Sequence, residues 1–257
     1  MIKIQNRKNM SLAVWVENDR GKNGLVFIAH GLSGRHDQAN IRTYAEAFLE
    51  NDFVVVSYDA TCSLGQSDGN LENATLTGYY EDFEDVIEWA GSQLWYEEPF
   101  VVAGHSLGGA CNLLFAYKNP AKIRALAPTS AFLSGKLSLR EAYSAQEIEK
   151  WEKDGYILEK SKSRPGIIKK LNWTLAVDWK KYNLLINAHL IKAPILLIVG
   201  ENDAPTPPSS QKDLLENVSS SQKELHVIKG SEHTFMAPEH LEEVKTIFLE
   251  WIKKLLA

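Results

Sequence analysis

Phe100-Val101-Val102-Ala103-Gly104-His105-Ser106-Leu107-Gly108-Gly109-Ala110 is the stretch on which the reading of this chain turns. Its first four residues are apolar and β-forming, as in a buried strand. Leu107–Lys118 continues with helical character and ends at Asn119-Pro120. Between them lies Gly104-x-Ser106-x-Gly108. A strand that turns at once into a helix needs small residues beside the turn. Gly109 and Ala110 keep the helix start slim as well. The serine then stands at a helix N-terminus, where free N–H groups and the helix dipole favour negative charge. This is the pattern of a nucleophile elbow.

Working outward, short apolar runs alternate with amphipathic helical stretches, which predicts an α/β fold with a mostly parallel sheet. Ile2–Gln5 and Ser11–Val16 read as a hairpin around Arg7-Lys8-Asn9. Leu25–Ala29, Phe53–Tyr58, Ile123–Ala127, Ile195–Val199 and Leu225–Ile228 read as further strands. Asp37–Glu50 reads as a helix with Asp37 as N-cap. Thr77–Leu94 reads as an acidic amphipathic helix, and Glu239–Leu256 as a closing helix after Pro238. The rhythm breaks from Phe132 to Leu190, where Lys and Glu fall in helical patterns around Gly155, Pro165-Gly166, Trp151, Trp173 and Trp179. That predicts a core of residues 1–131 and 191–257 with a cap or lid of 132–190 inserted between two core strands.

Composition limits the function classes. The 257 residues fit one large α/β domain or two small ones, and 44% hydrophobic and 24% charged residues suit a globular chain with a substantial core. A net charge of -5 argues against nucleic acid or an anionic membrane as the main partner. No apolar run approaches the roughly 20 residues of a membrane span, so no stable membrane insertion is expected. The polar start, Met1–Lys8, does not read as a signal peptide. Cys62 and Cys111 have no metal-ligand spacing and suit a reducing compartment. The expectation is a cytoplasmic protein with no metal and no cofactor. A homodimer is left open.

With the elbow in place, the chain resembles the α/β-hydrolase superfamily everywhere outside the insertion. It is similar to small cytosolic esterases, to monoacylglycerol-lipase-like enzymes and to cinnamoyl-esterase-like enzymes. The resemblance implies Ser106 as nucleophile and the backbone N–H of Leu107 as one oxyanion donor. The loop His30-Gly31-Leu32-Ser33-Gly34 resembles the family's His-Gly-x motif, which implies Leu32 as the second donor. His30 is then a loop-orienting residue rather than the base, and Arg35 and His36 read as a solvated loop. The family order is Ser, acid, His. Gly200-Glu201-Asn202-Asp203 implies Asp203 as the acid, with Glu201 the near alternative. Gly230-Ser231-Glu232-His233 implies His233 as the base. His105 is the variable position of the elbow, and His189, His226 and His240 fit the role less well.

The expected activity is cleavage of a carboxylic ester with an uncharged, apolar acyl chain through an acyl-enzyme, the substrate being a small molecule. Peptidase, thioesterase and lactonase chemistry use the same triad, and a non-catalytic binding protein is the remaining class. An Asp nucleophile, as in dehalogenases and epoxide hydrolases, is excluded by Ser106. Phe132, Trp151 and Trp173 are expected to line the substrate pocket, although the tryptophans would equally serve as the insert's own core. Asp59 and Gly65-Gln66-Ser67 read as scaffold. Glu81, Asp82, Glu84, Asp85 and Glu88 read as a solvated acidic helix face rather than a metal site.

Overall fold

The computed structural model describes residues 1–161 and 166–257. Its strands are β1 (Ile2–Gln5), β2 (Ser11–Glu17), β3 (Leu25–Ala29), β4 (Val54–Asp59), β5 (Phe100–His105), β6 (Ile123–Thr129), β7 (Tyr156–Lys160), β8 (Ile168–Asn172), β9 (Ile195–Gly200) and β10 (Lys223–Ile228). The α-helices are α1 (Ala39–Leu49), α2 (Leu76–Ala90), α3 (Leu107–Lys118), α4 (Gly135–Ala142), α5 (Ala145–Asp154), α6 (Trp173–Trp179), α7 (Pro208–Asn217) and α8 (Pro238–Leu256). The main sheet runs β1-β2-β4-β3-β5-β6-β9-β10. From β4 to β10 the pairs are parallel, while β2 joins β4, and β1 joins β2, antiparallel. This is the α/β-hydrolase architecture, with helices on both faces.

The central strands are apolar throughout because both faces are covered. Successive side chains point to opposite sides. Phe27, Val56, Val102 and Leu197 pack in one core with α2, α3 and the segment after β6. Val26, Ile28, Val55, Val101 and Ile198 pack in the other, beneath α1 and α8. The loops at the carboxyl ends of β3, β5, β9 and β10 meet on one edge, the ordinary ligand-binding edge of such sheets.

Several sequence expectations need correction. Gln38, not Asp37, is the N-cap of α1, and its side chain makes no capping bond. Asp37 instead pairs with Arg35 across 2.5 Å. The acidic face of α2 is not solvated throughout. Asp82 is buried and accepts from the Asn6 side chain and from the N–H and hydroxyl of Thr61, each at 2.7 Å. Asp85 is buried too and takes the Arg7 N–H and Nε–H at 2.8 Å. These carboxylates brace the β1–β2 turn, a partnership between residues far apart in sequence that a local reading of the helix misses. His36 is not merely solvated: its ring stacks on Trp15 with centroids 3.3 Å apart.

The segment between β6 and β9 holds α4, α5, α6 and a two-stranded antiparallel hairpin, β7–β8. The helical Lys and Glu patterns of this segment do not announce these strands. The hairpin is short and half-exposed, so no buried apolar run announces it. Of the predicted Pro165-Gly166 break, Pro165 lies outside the described residues, and Gly166 takes a positive φ of 88°. The insert is tied to the core through Thr77 at the start of α2. Its N–H and hydroxyl donate to the two oxygens of Asp178 at 3.0 and 2.6 Å. Its oxygen also lies 2.6 Å from the Tyr182 hydroxyl. Among the described residues, no helix is long and apolar enough to cross a membrane.

Candidate active site

Ser106 joins β5 to α3 with φ 55° and ψ -114°. Positive φ is rare outside glycine and costs about 1–3 kcal/mol, so the surroundings must impose it. They do so by close packing. A Cβ on Gly108 would lie 2.1 Å from the Ala29 carbonyl oxygen, and one on Gly104 2.7 Å from the Gly108 backbone. Backbone bonds then pin the turn: Ser106 N–H donates to Thr129 O at 3.0 Å, and Phe132 N–H to Ser106 O at 3.2 Å.

The serine opens into a cavity of about 510 Å³ whose lining includes Leu32, Leu107, Phe132 and His233. Leu107 is the first residue of α3, so its N–H has no partner within the helix. The Leu32 loop is held by His30. Buried His30 donates from Nδ1 to Gly31 O at 2.7 Å and accepts the Ala60 N–H at Nε2, 2.9 Å away. Burial, the largest influence, lowers its pKa and keeps the ring neutral, as that bonding pattern requires. Gly31 has its α-carbon face against Ser106, where a Cβ would sit 3.1 Å from the serine Cβ.

Asp203 and His233 stand on the loops after the neighbouring parallel strands β9 and β10. Those loops are joined by Glu201 N–H to Ile228 O at 2.9 Å and Asn202 N–H to Ser231 O at 2.8 Å. His233 Nδ1 lies 3.0 and 2.9 Å from the two Asp203 oxygens. Because the carboxylate only accepts, Nδ1 carries the proton, which leaves Nε2 as an acceptor. Burial pushes the Asp203 pKa up. The His233 charge and hydrogen bonds from His233 and Thr206 outweigh it, so the net shift is downward. Glu201 is exposed and instead accepts the Gly230 N–H at 2.8 Å. Among the described residues, no hydrogen bond joins Ser106 Oγ to His233. Such bonds are often long before substrate binds.

Two residues were missed by the sequence reading. Thr206 has its N–H 3.0 Å from Asp203 Oδ1 and its hydroxyl 2.9 Å from Oδ2. The same hydroxyl lies 3.1 Å from Ser130 O and 3.3 Å from His233 Nδ1. An Asp followed three residues later by a threonine was the signal available. His105 donates from Nε2 to His233 O at 2.7 Å. Burial first, and then the neighbouring His233 charge, lower its pKa to about 3.

Phe132 lines the cavity, with Trp179 packed on it at 5.2 Å between centroids. Trp151 and Trp173 do not line it. Trp151 is buried in the insert, donates from Nε1 to Leu171 O at 2.9 Å, and packs edge-on to Trp173 at 5.6 Å. An indole with a backbone acceptor available inside the insert satisfies its N–H there. Asp59 is buried and accepts from the His36 N–H and Gln66 N–H, both at 2.7 Å, which braces the loop after β3. Among the described residues, no group of His, Cys, Asp and Glu is arranged to hold a metal ion.

The sequence matches the family described as serine aminopeptidase, S33 (Hydrolase_4), over residues 21–164 and 182–239. The chain belongs to this family. As an α/β-hydrolase it superimposes on Est1E from Butyrivibrio proteoclasticus with ferulic acid bound, at TM-score 0.83 and 19% identity, covering 100% of this chain and 99% of that one. It also superimposes on α/β-hydrolase domain-containing protein 10 from mouse at TM-score 0.80 and 19% identity, covering 99% and 98% of the two chains. Among sequence relatives, bovine mitochondrial palmitoyl-protein thioesterase ABHD10 is 24% identical over 221 residues, 83% of this hydrolase and 68% of the bovine protein.

Proposed function

We propose that this hydrolase cleaves carboxylic esters of small molecules through an acyl-enzyme on Ser106. The observation that carries the reading is the strained Ser106 turn opening into the cavity that also holds His233, whose Nδ1 is held by Asp203. In this reading Ser106 Oγ attacks the ester carbonyl carbon while His233 Nε2 takes its proton. The N–H groups of Leu32 and Leu107 receive the oxyanion. The tetrahedral adduct collapses, the C–O bond to the alcohol breaks, and His233 returns the proton to the departing alkoxide. Water then repeats the sequence on the acyl-enzyme and releases the acid. Asp203 fixes the tautomer and stabilises the imidazolium. Residues 132–190 act as the cap that shapes the cavity.

A fluorophosphonate tests this directly. A covalent adduct on Ser106, absent in Ser106→Ala, is the expected result. Turnover of aryl esters should fall several thousand-fold or more in Ser106→Ala and His233→Ala. Near-normal turnover in Ser106→Ala would refute the assignment. Thioester hydrolysis is the second reading, favoured by the name of the bovine relative. Parallel assays with matched acyl thioesters, oxygen esters and aminoacyl amides rank the bonds cleaved.

A further inference from the structure

The insert turns part of its hairpin toward the cavity. Glu159 of β7 and Lys169 of β8 both line it, together with Tyr143. The two charged residues are direct cross-strand partners, with Nζ 2.8 Å from Oε2. Their side chains are only 23% and 16% exposed. The Tyr143 hydroxyl donates to Oε1 of Glu159. Both oxygens of the carboxylate are therefore engaged. The ammonium has further N–H donors, and among the described residues Glu159 is its only partner.

Leu32, Leu107, Phe132 and Trp179 give the cavity apolar walls beside the polar Ser33, Gln38, Thr206 and Thr234. A hydrocarbon tail lying against the ion pair would strip its residual water and return no hydrogen bond, which is costly. A tail with an oxygen acceptor replaces that water. A carboxylate tail is disfavoured, because Glu141, Glu147 and Glu232 line the same cavity and outnumber its other cation, Lys160.

We propose that Lys169, held by Glu159 and Tyr143, is a specificity-determining residue that reads an uncharged oxygen acceptor on the substrate, a ketone or amide carbonyl separate from the scissile bond. This deepens the esterase reading, on which its bearing on turnover rests, but binding alone also tests it.

Ser106→Ala serves as a binding platform in titration calorimetry. One ligand pair is naphthyl heptanoate and the same ester with a ketone one carbon from its acyl chain end. The other is pentyl butyrate and its analogue with the ketone likewise placed in the alcohol chain. In at least one pair the keto ester should bind about tenfold tighter or more, the usual yield of a hydrogen bond to a charged donor. Adding Lys169→Met should reduce that preference to about threefold or less, and Lys169→Arg should retain it. Lys169→Gln replaces Lys169→Met if the latter does not fold. Equal affinities within both pairs, or a preference that survives loss of the ammonium, would overturn the proposal. Turnover of naphthyl acetate, which has no tail oxygen, is followed separately in the wild type. Absent turnover with a retained keto preference removes the esterase reading and leaves this one. Turnover without the preference does the reverse.

Discussion

His105 donates a 2.7 Å hydrogen bond from Nε2 to the backbone carbonyl of His233, so the residue beside the serine holds the loop that carries the histidine. Replacing His105 by Phe keeps a ring in the buried site but removes the donor. The expected result is a kcat lowered about tenfold, from one lost hydrogen bond, with KM for an aryl ester little changed. His105 is neutral above a pKa of about 3. The bond therefore does not titrate from about pH 5 to 8, and the variant's loss should be constant across that range.

Thr206 predicts a different signature. Its hydroxyl and N–H both reach Asp203, whose pKa is lowered. Thr206→Val removes the hydroxyl donor, so the Asp203 carboxylate is less stabilised and protonates at higher pH. The acid limb of kcat/KM should move to higher pH in Thr206→Val and return in Thr206→Ser. A pH–rate series on the three proteins checks this, and an unmoved limb with uniformly reduced rate would indicate packing alone.

Asp59 links pH to stability. Burial raises its pKa, but hydrogen bonds from the His36 side chain and from the backbone N–H groups of His36 and Gln66 outweigh it, for a net downward shift. A carboxylate with a folded pKa below its unfolded value of about 3.9 stabilises fully above that value and loses the contribution as pH falls through the folded pKa. Asp59→Asn should therefore cost about 1–3 kcal/mol at neutral pH. The gap between variant and wild type should narrow below about pH 4. Urea unfolding at a series of pH values measures it.

Trp151 and Phe132 separate fold from specificity. Trp151→Ala should destabilise by about 3–5 kcal/mol through the cavity it leaves, read as a lower urea midpoint. Phe132→Ala should shift the preferred acyl length in an ester series, because Phe132 lines the cavity and Trp151 does not.

Much of the fold was legible because its signals are local. Leu25–Ala29 and Ile195–Val199 are unbroken apolar runs, and the glycines around Ser106 mark a turn that little else fits. Asp203 and His233 were legible by their place after such strands. The insert was not. Tyr156–Lys160 alternates only between half-exposed and exposed positions, so its pattern never declares a core. Trp151 was ambiguous because an indole suits a pocket and a core equally, and only the Leu171 carbonyl decides between them. His105 escaped notice because its partner is a backbone atom far along the chain. The buried Asp82 and Asp85 were misread for the same reason, their partners lying on the β1–β2 turn and the loop after β4.

Thr77 has a consequence for anyone rebuilding this molecule. It belongs to the core helix α2, yet its N–H and hydroxyl satisfy Asp178 of the insert, whose side chain is otherwise buried. Residues 132–190 are thus not a module with its own complete set of partners. Transplanted onto another hydrolase, their Asp178 would keep the Lys181 ammonium 3.0 Å away but lose two hydrogen bonds unless the recipient offered a threonine or its equivalent at the start of that helix. Chimaeras exchanging substrate preference between relatives should take both pieces together.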